Sequence, residues 1–93
     1  MDTKQPILVD VRSPAEFASG HVEHAVNLPL DRLAQDASAL LPDKSAALVL
    51  YCVSGARSAV ALQCLQQMGY TQVSNGLSAG AVSLQTGRGI RRI

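Results

Sequence analysis

The chain has 93 residues, enough for a single domain around one core, and an apolar share of 47% that suits a globular protein. A formal net charge of +1 gives no electrostatic case for nucleic acid or an anionic membrane surface, and no stretch reaches the ~20 apolar residues of a membrane span. Two cysteines in so short a chain make neither a disulfide framework nor a zinc site, so no metal is expected.

Aromatic residues make up 3%, so the core must be built from Ala, Val and Leu. "ILVDV" at 7–11 is an apolar, β-branched run that reads as a buried strand. Ser13, Pro14 and Glu16 then supply a cap, a first-turn proline and a carboxylate at the positive end of a short helix, stopped at Gly20. "HAVNLPL" at 24–30 predicts a second strand ending at Pro29. Asp31 is placed to cap a helix over 31–41 with Leu33, Ala37, Leu40 and Leu41 on one face. After the Pro42-Asp43 turn, "AALVLYC" at 46–52 is the most apolar strand and the natural sheet centre. A helix follows from about Ala56, with Ala59, Leu62, Leu65 and Met68 at helical spacing and Gly69 as its stop. "YTQVSN" at 70–75 reads as a strand and "SAGAVSL" at 78–84 as a half-helix. The remainder, about 86–93 with Arg88, Arg91 and Arg92, reads as a solvated, flexible tail.

Strands alternate with helices, which predicts an α/β domain with a small, mainly parallel sheet covered by helices on both faces. Ligands of such sheets bind beyond the carboxyl ends of the strands, and Cys52 stands at one of those ends. A free thiol has a pKa of about 8.5, and three local features favour its ionised form. The next helix directs unpaired amides toward the strand end. Gly55, among the small residues of "VSGA", allows those amides to converge on an anion. Arg57 adds a cation. Cys64, two turns further along the helix and more than ~10 Å from the loop at ~1.5 Å per residue, reads as core filling.

Four segments resemble the rhodanese-like sulfurtransferases, in particular the small single-domain phage-shock type. They are "LVDVRSPAEFASGHV" at 8–22, "AVNLPL" at 25–30, "YCVSGARSAVA" at 51–61 and "LQQMGYTQV" at 65–73, in the family's order. The resemblance implies a rhodanese-like α/β fold of four to five strands. It also implies sulfane-sulfur transfer through a Cys52 persulfide, from thiosulfate or a similar donor to cyanide or thiol acceptors. Cys52 would be the nucleophile, with Val53, Ser54, Gly55, Ala56, Arg57 and Ser58 forming the loop that holds the outer sulfur. Asp10, Arg12 and His21 would be structural supports near it. Neither metal nor organic cofactor is implied. A small-molecule donor and acceptor are expected, with a sulfur-relay protein as a further possible partner, no nucleic acid, no membrane and a monomeric state.

The C-x4-R spacing of Cys52 and Arg57 is one residue shorter than the C-x5-R loop of related phosphatases and arsenate reductases, and it suits a single sulfur atom. Val53 stands where many members place a polar or basic side chain, and Leu84 stands near a position where tryptophan is common. The family's opening edge strand is expected to be missing or reduced. A non-catalytic or sulfur-relay binding module of the same fold is the alternative. The first residues lack a basic start followed by an apolar stretch and a cleavage site, so a cytoplasmic protein is expected, or a periplasmic mature form whose signal has been removed.

Overall fold

The computed structural model describes residues 5–93. In chain order the elements are β1 (Ile7–Asp10), α1 (Pro14–Ser19), β2 (His21–Val22), β3 (Val26–Asn27), a 3-10 turn (Leu30–Arg32), α2 (Leu33–Leu40), β4 (Ala47–Cys52), α3 (Ala56–Gln67), β5 (Gln72–Ser78), α4 (Ala79–Thr86) and β6 (Ile90–Arg91). Four strands form one sheet in the order β3-β1-β4-β5, and every pairing in it is parallel. The expected α/β architecture is therefore present, with β4 at the sheet interior.

Alternation along the strands divides the core between two faces. Val9, Val11, Leu48, Leu50 and Cys52 face Leu33 and Ala37 of α2 and Ala61 and Leu65 of α3. Leu8 and Tyr51 face the other way, against Val22 and Val82 of α4. Each fully buried leucine contributes about 1.5–3 kcal/mol of transfer free energy. Truncating Leu50, which is 0% exposed, to alanine would cost about 2–5 kcal/mol.

Helix α1 begins as its sequence dictates. Ser13 Oγ accepts from the Glu16 amide at 3.2 Å, while Glu16 Oε1 accepts from the Ser13 amide at 3.0 Å, a reciprocal capping box with Pro14 in the first turn. Helix α4 is capped by Ser78, whose hydroxyl accepts from the Ala81 amide at 3.1 Å, and it ends at Gly87 with φ 73°.

Several expectations need correction. Only Val26 and Asn27 of the predicted strand at 24–30 pair with β1, because His24 occupies a turn with φ 69° and Pro29 starts the 3-10 turn. Asp31 caps nothing, since it lies inside that turn and α2 starts without a side-chain cap. Leu40 is 47% exposed rather than on the buried face. The last parallel strand runs from Gln72 to Ser78 instead of over 70–75. Gly76 is its extra residue, for Leu50 pairs with Asn75 while Tyr51 pairs with Leu77. Tyr70 instead docks on α2, its hydroxyl donating to the Ala37 and Leu41 carbonyls at 3.2 and 2.5 Å.

The inner face of α3 is Ser58, Ala61 and Leu65, with Ala59 exposed, so the buried stripe starts one residue earlier than predicted. The segment expected as a flexible tail is tied down. Strand β6 pairs antiparallel with β2, Arg91 forms an ion pair with Glu23, the Ile93 amide donates to the Ala18 carbonyl at 3.0 Å, and Arg92 donates to the Ser19 carbonyl at 3.1 Å. Leu84, at 87% exposed, takes no part in the core.

Candidate active site

Cys52 is the last residue of β4, and α3 starts four positions later, at Ala56. The reversal between them depends on Gly55, which has φ 101°. An L side chain there would be strained, and its Cβ would lie 2.8 Å from Leu77 Cδ2. This conformation brings the Gly55 amide to 3.1 Å from Cys52 Sγ, and Ser58 Oγ stands 3.6 Å from the same sulfur.

Burial is the largest single influence on the thiol and pushes its pKa up. The amides of Ser58, Gly55 and Ser54 and the Ser58 hydroxyl together outweigh it and bring the pKa down to about 7. At neutral pH a substantial fraction of Cys52 is thus thiolate, the form that acts as a nucleophile. The residue itself is 2% exposed, at the floor of a loop whose lip, Val53 and Ser54, faces solvent.

A side chain that the sequence did not single out organises this loop. Asn75 Oδ1 accepts from the Ser58 hydroxyl at 2.7 Å and from the Leu77 amide at 2.9 Å, while Asn75 Nδ2 donates to the Gly55 carbonyl at 3.1 Å. The Ser58 hydroxyl has one hydrogen, and Asn75, the Gly55 carbonyl at 3.2 Å and the sulfur compete for it. When the thiol ionises, that hydrogen can turn to the sulfur, and Asn75 Oδ1 keeps the Leu77 amide. The signal in the sequence was an asparagine closing a predicted strand just before Gly76, a residue type that strands disfavour.

Arg57 behaves differently from expectation. Its guanidinium makes two bonds to Glu16, at 2.8 and 2.9 Å, and is not among the main influences that lower the Cys52 pKa. The peptide amides and Ser58 carry that effect, and Arg57 braces the first turn of α3 against α1. The partner on α1, Glu16, was read from the sequence as a carboxylate at the positive end of its own helix. Ala56 is exposed at the start of α3.

The structure gathers Cys52, Ser54, Gly55 and Ser58 around one sulfur. Asp10, Arg12 and His21 lie elsewhere. Asp10 projects with Leu8 to the face opposite Cys52 and pairs with Arg12, whose Nη2 donates at 2.6 Å to Asp10 and at 2.5 Å to the Gly20 carbonyl. His21 Nδ1 is 2.8 Å from the Phe17 carbonyl, and its ring stacks on Phe17 at 3.7 Å. These three hold the turn after α1 without touching the sulfur.

Comparison with known proteins identifies the family and the fold. Residues 1–80 match the model of the rhodanese-like domain. The chain is 37% identical over 67 residues to thiosulfate sulfurtransferase PspE of Escherichia coli, a match spanning 72% of this chain and 64% of that protein. It is 42% identical over 74 residues to a sulfurtransferase of Allochromatium vinosum, covering 80% of this chain and 67% of that one. A solved structure described as a rhodanese with anions from E. coli superposes with a TM-score of 0.84 at 28% identity, covering 96% of this chain and all of that one. With the parallel sheet and the family match in agreement, this chain belongs to the rhodanese-like domain family.

Proposed function

We propose that this protein is a sulfurtransferase that carries sulfane sulfur as a persulfide on Cys52, with thiosulfate or a related compound as donor. The Cys52 thiolate attacks the outer sulfur of the donor. The new S–S bond forms as the donor's own S–S bond breaks, and sulfite leaves with the bonding pair. The persulfide's terminal sulfur then passes to a thiol or cyanide, which restores the thiolate. Neither a metal nor an organic cofactor enters this cycle.

One observation carries the reading: an amide-lined loop holds a sulfur whose pKa is lowered to about 7, with the Gly55 amide at 3.1 Å. Those amides favour negative charge on Sγ and suit an anionic persulfide in the same loop. The activity in the names of PspE and of the A. vinosum relative is consistent with it.

The test is intact mass after incubation with thiosulfate, beside Cys52→Ser. The reading requires a gain of one sulfur atom, removed by reductant and absent in the variant. No gain from any sulfane donor would leave a non-catalytic module of the same fold. Aryl phosphate hydrolysis that depends on Cys52 would replace sulfur transfer with phosphatase chemistry.

A further inference from the structure

A cleft of about 360 Å³, lined by Val11, Ser13, Pro29, Leu30, Asp31 and Arg57, borders the cysteine loop. Val11 follows β1 and Pro29 follows β3, so the cleft lies beyond the carboxyl ends of the parallel strands. Val11 also packs in the same cluster as Cys52, and Arg57 is the second residue of α3, so cleft and loop are contiguous.

The charges around the cleft are lopsided. Glu16 takes up the Arg57 guanidinium in a two-bond ion pair. Asp31 is exposed and has no hydrogen-bond or ion-pair partner among the described residues, and its neighbour Arg32 pairs with Asp36 instead. What remains, among the described residues, is the Asp31 carboxylate beside an apolar surface of Val11, Pro29 and Leu30. Next to it is a loop whose amides favour an anionic sulfur. A ligand with a negative sulfur at one end and a positive group at the other matches both.

We propose that this cleft seats the organic part of a low-molecular-weight thiol bearing an ammonium group, with Asp31 as its counter-charge, so that aminothiols are accepted ahead of thiols ending in a carboxylate. The assignment of that thiol as sulfur acceptor rests on the sulfurtransferase reading above. In the transfer, the acceptor thiolate attacks the outer sulfur of the Cys52 persulfide. A new S–S bond forms and the bond from Cys52 Sγ breaks, its electron pair remaining on Cys52 as thiolate. The outer sulfur carries its negative charge into the product persulfide, and no oxidant or reductant is consumed.

The first test does not depend on sulfur transfer. The resting Cys52 thiolate is treated with cystamine or with 3,3′-dithiodipropionate, and mixed-disulfide formation at Cys52 is followed by mass and peptide mapping. Rates are compared for wild type, Asp31→Asn and Asp31→Lys, each relative to a free model thiol. Wild type is expected to favour the cationic probe by roughly two- to five-fold, the size of one exposed charge pair. Asp31→Asn should abolish the preference, Asp31→Lys should invert it, and high salt should compress it. The second test repeats the comparison on persulfide-loaded protein with cysteamine and 3-mercaptopropionate as acceptors. A cation-to-anion ratio that ignores Asp31 in the disulfide experiment overturns the assignment of the cleft. A ratio that follows Asp31 in a protein that never gains sulfur keeps the cleft and removes the sulfurtransferase reading.

Discussion

Glu16 and Arg57 stand 41 positions apart and meet in a two-bond ion pair at 2.8 and 2.9 Å. The contact joins α1 to the first turn of α3, the turn whose amides face the Cys52 sulfur. Glu16 does two things at once, because Oε1 also accepts from the Ser13 amide at 3.0 Å and completes the cap of α1. The Arg57 bonds, and after them the Ser13 amide, hold its carboxyl down at a pKa of about 2.

Replacing Glu16 by Gln keeps the shape and removes the charge. Both Glu16 and Arg57 are more than a third exposed, so solvent screens the pair, and the loss should be about 0.5–1.5 kcal/mol at pH 7, cap included. The sign of the pH dependence follows from a folded-state pKa below the unfolded one. The ionised carboxylate favours the fold above pH ~4.5, and this contribution fades as pH falls toward 2. Urea denaturation of both proteins should show a gap at pH 7 that closes by pH 2. A gap of constant size would mean that the side chain acts through packing rather than charge.

The Cys52 thiol is expected to titrate near pH 7 in the rate of iodoacetamide alkylation, well below an ordinary cysteine. Ser58→Ala deletes the hydroxyl 3.6 Å from the sulfur and should raise the midpoint by about half to one unit. Asn75→Ala frees the Ser58 hydroxyl from its 2.7 Å bond and leaves the Leu77 amide without its acceptor, while the Gly55 carbonyl keeps the Ala59 amide at 2.9 Å, so loop order and midpoint should both change. Arg57→Ala should move the midpoint less than Ser58→Ala does, since peptide amides and Ser58 dominate the environment of the sulfur. The opposite ranking would restore Arg57 to the centre of the electrostatics.

Gly55→Ala puts a methyl group on a residue with φ 101°, with its carbon 2.8 Å from Leu77 Cδ2. The left-handed backbone costs about 1–2 kcal/mol for an L side chain, and Leu77, itself at φ 78°, must also shift. The cheapest relief is to turn the loop, which withdraws the Gly55 amide from the sulfur. Loss of sulfur transfer, a raised alkylation midpoint and a lowered melting temperature are expected together. A variant that is destabilised but keeps a midpoint near 7 would show that the Gly55 amide is dispensable.

What the sequence made legible was local. A β-branched run, a helix cap with a first-turn proline, a cysteine at a strand end and a glycine where the chain reverses are each written within a few residues, and β1, α1, β4 and the loop followed from them. What it hid was paired at long range. Nothing near Arg57 indicates that Glu16 will claim it, and nothing near the C-terminus shows that β6 will pair with β2. The inner face of α3 was misread for a related reason. Ser58 turns inward to serve the sulfur, so a polar residue starts the buried stripe and apolar periodicity alone starts it one position late. Asn75 was missed because its partners, Ser58, Gly55 and Leu77, are brought together only by the bulge at Gly76.

Tyr51 tests whether the two faces of the sheet are energetically separate. Its ring is 0% exposed on the face opposite Cys52, and its hydroxyl accepts from the Val22 amide at 3.0 Å. Burial raises the phenol's pKa, and the Val22 bond opposes that rise only in part, so the group stays neutral across the working range. Tyr51→Phe preserves the apolar packing and strands the Val22 amide in the interior, an omission worth about 1–3 kcal/mol. For a domain of this size each kcal/mol lowers the melting temperature by about 4–8 °C. Val22 belongs to β2, which pairs with β6, so hydrogen exchange should rise first at 21–22 and 90–91. The alkylation midpoint of the adjacent Cys52 should stay near 7, because its donors come from the loop and α3. A midpoint that moved with Tyr51→Phe would mean that the end of β4, rather than the loop, sets the reactivity of the sulfur.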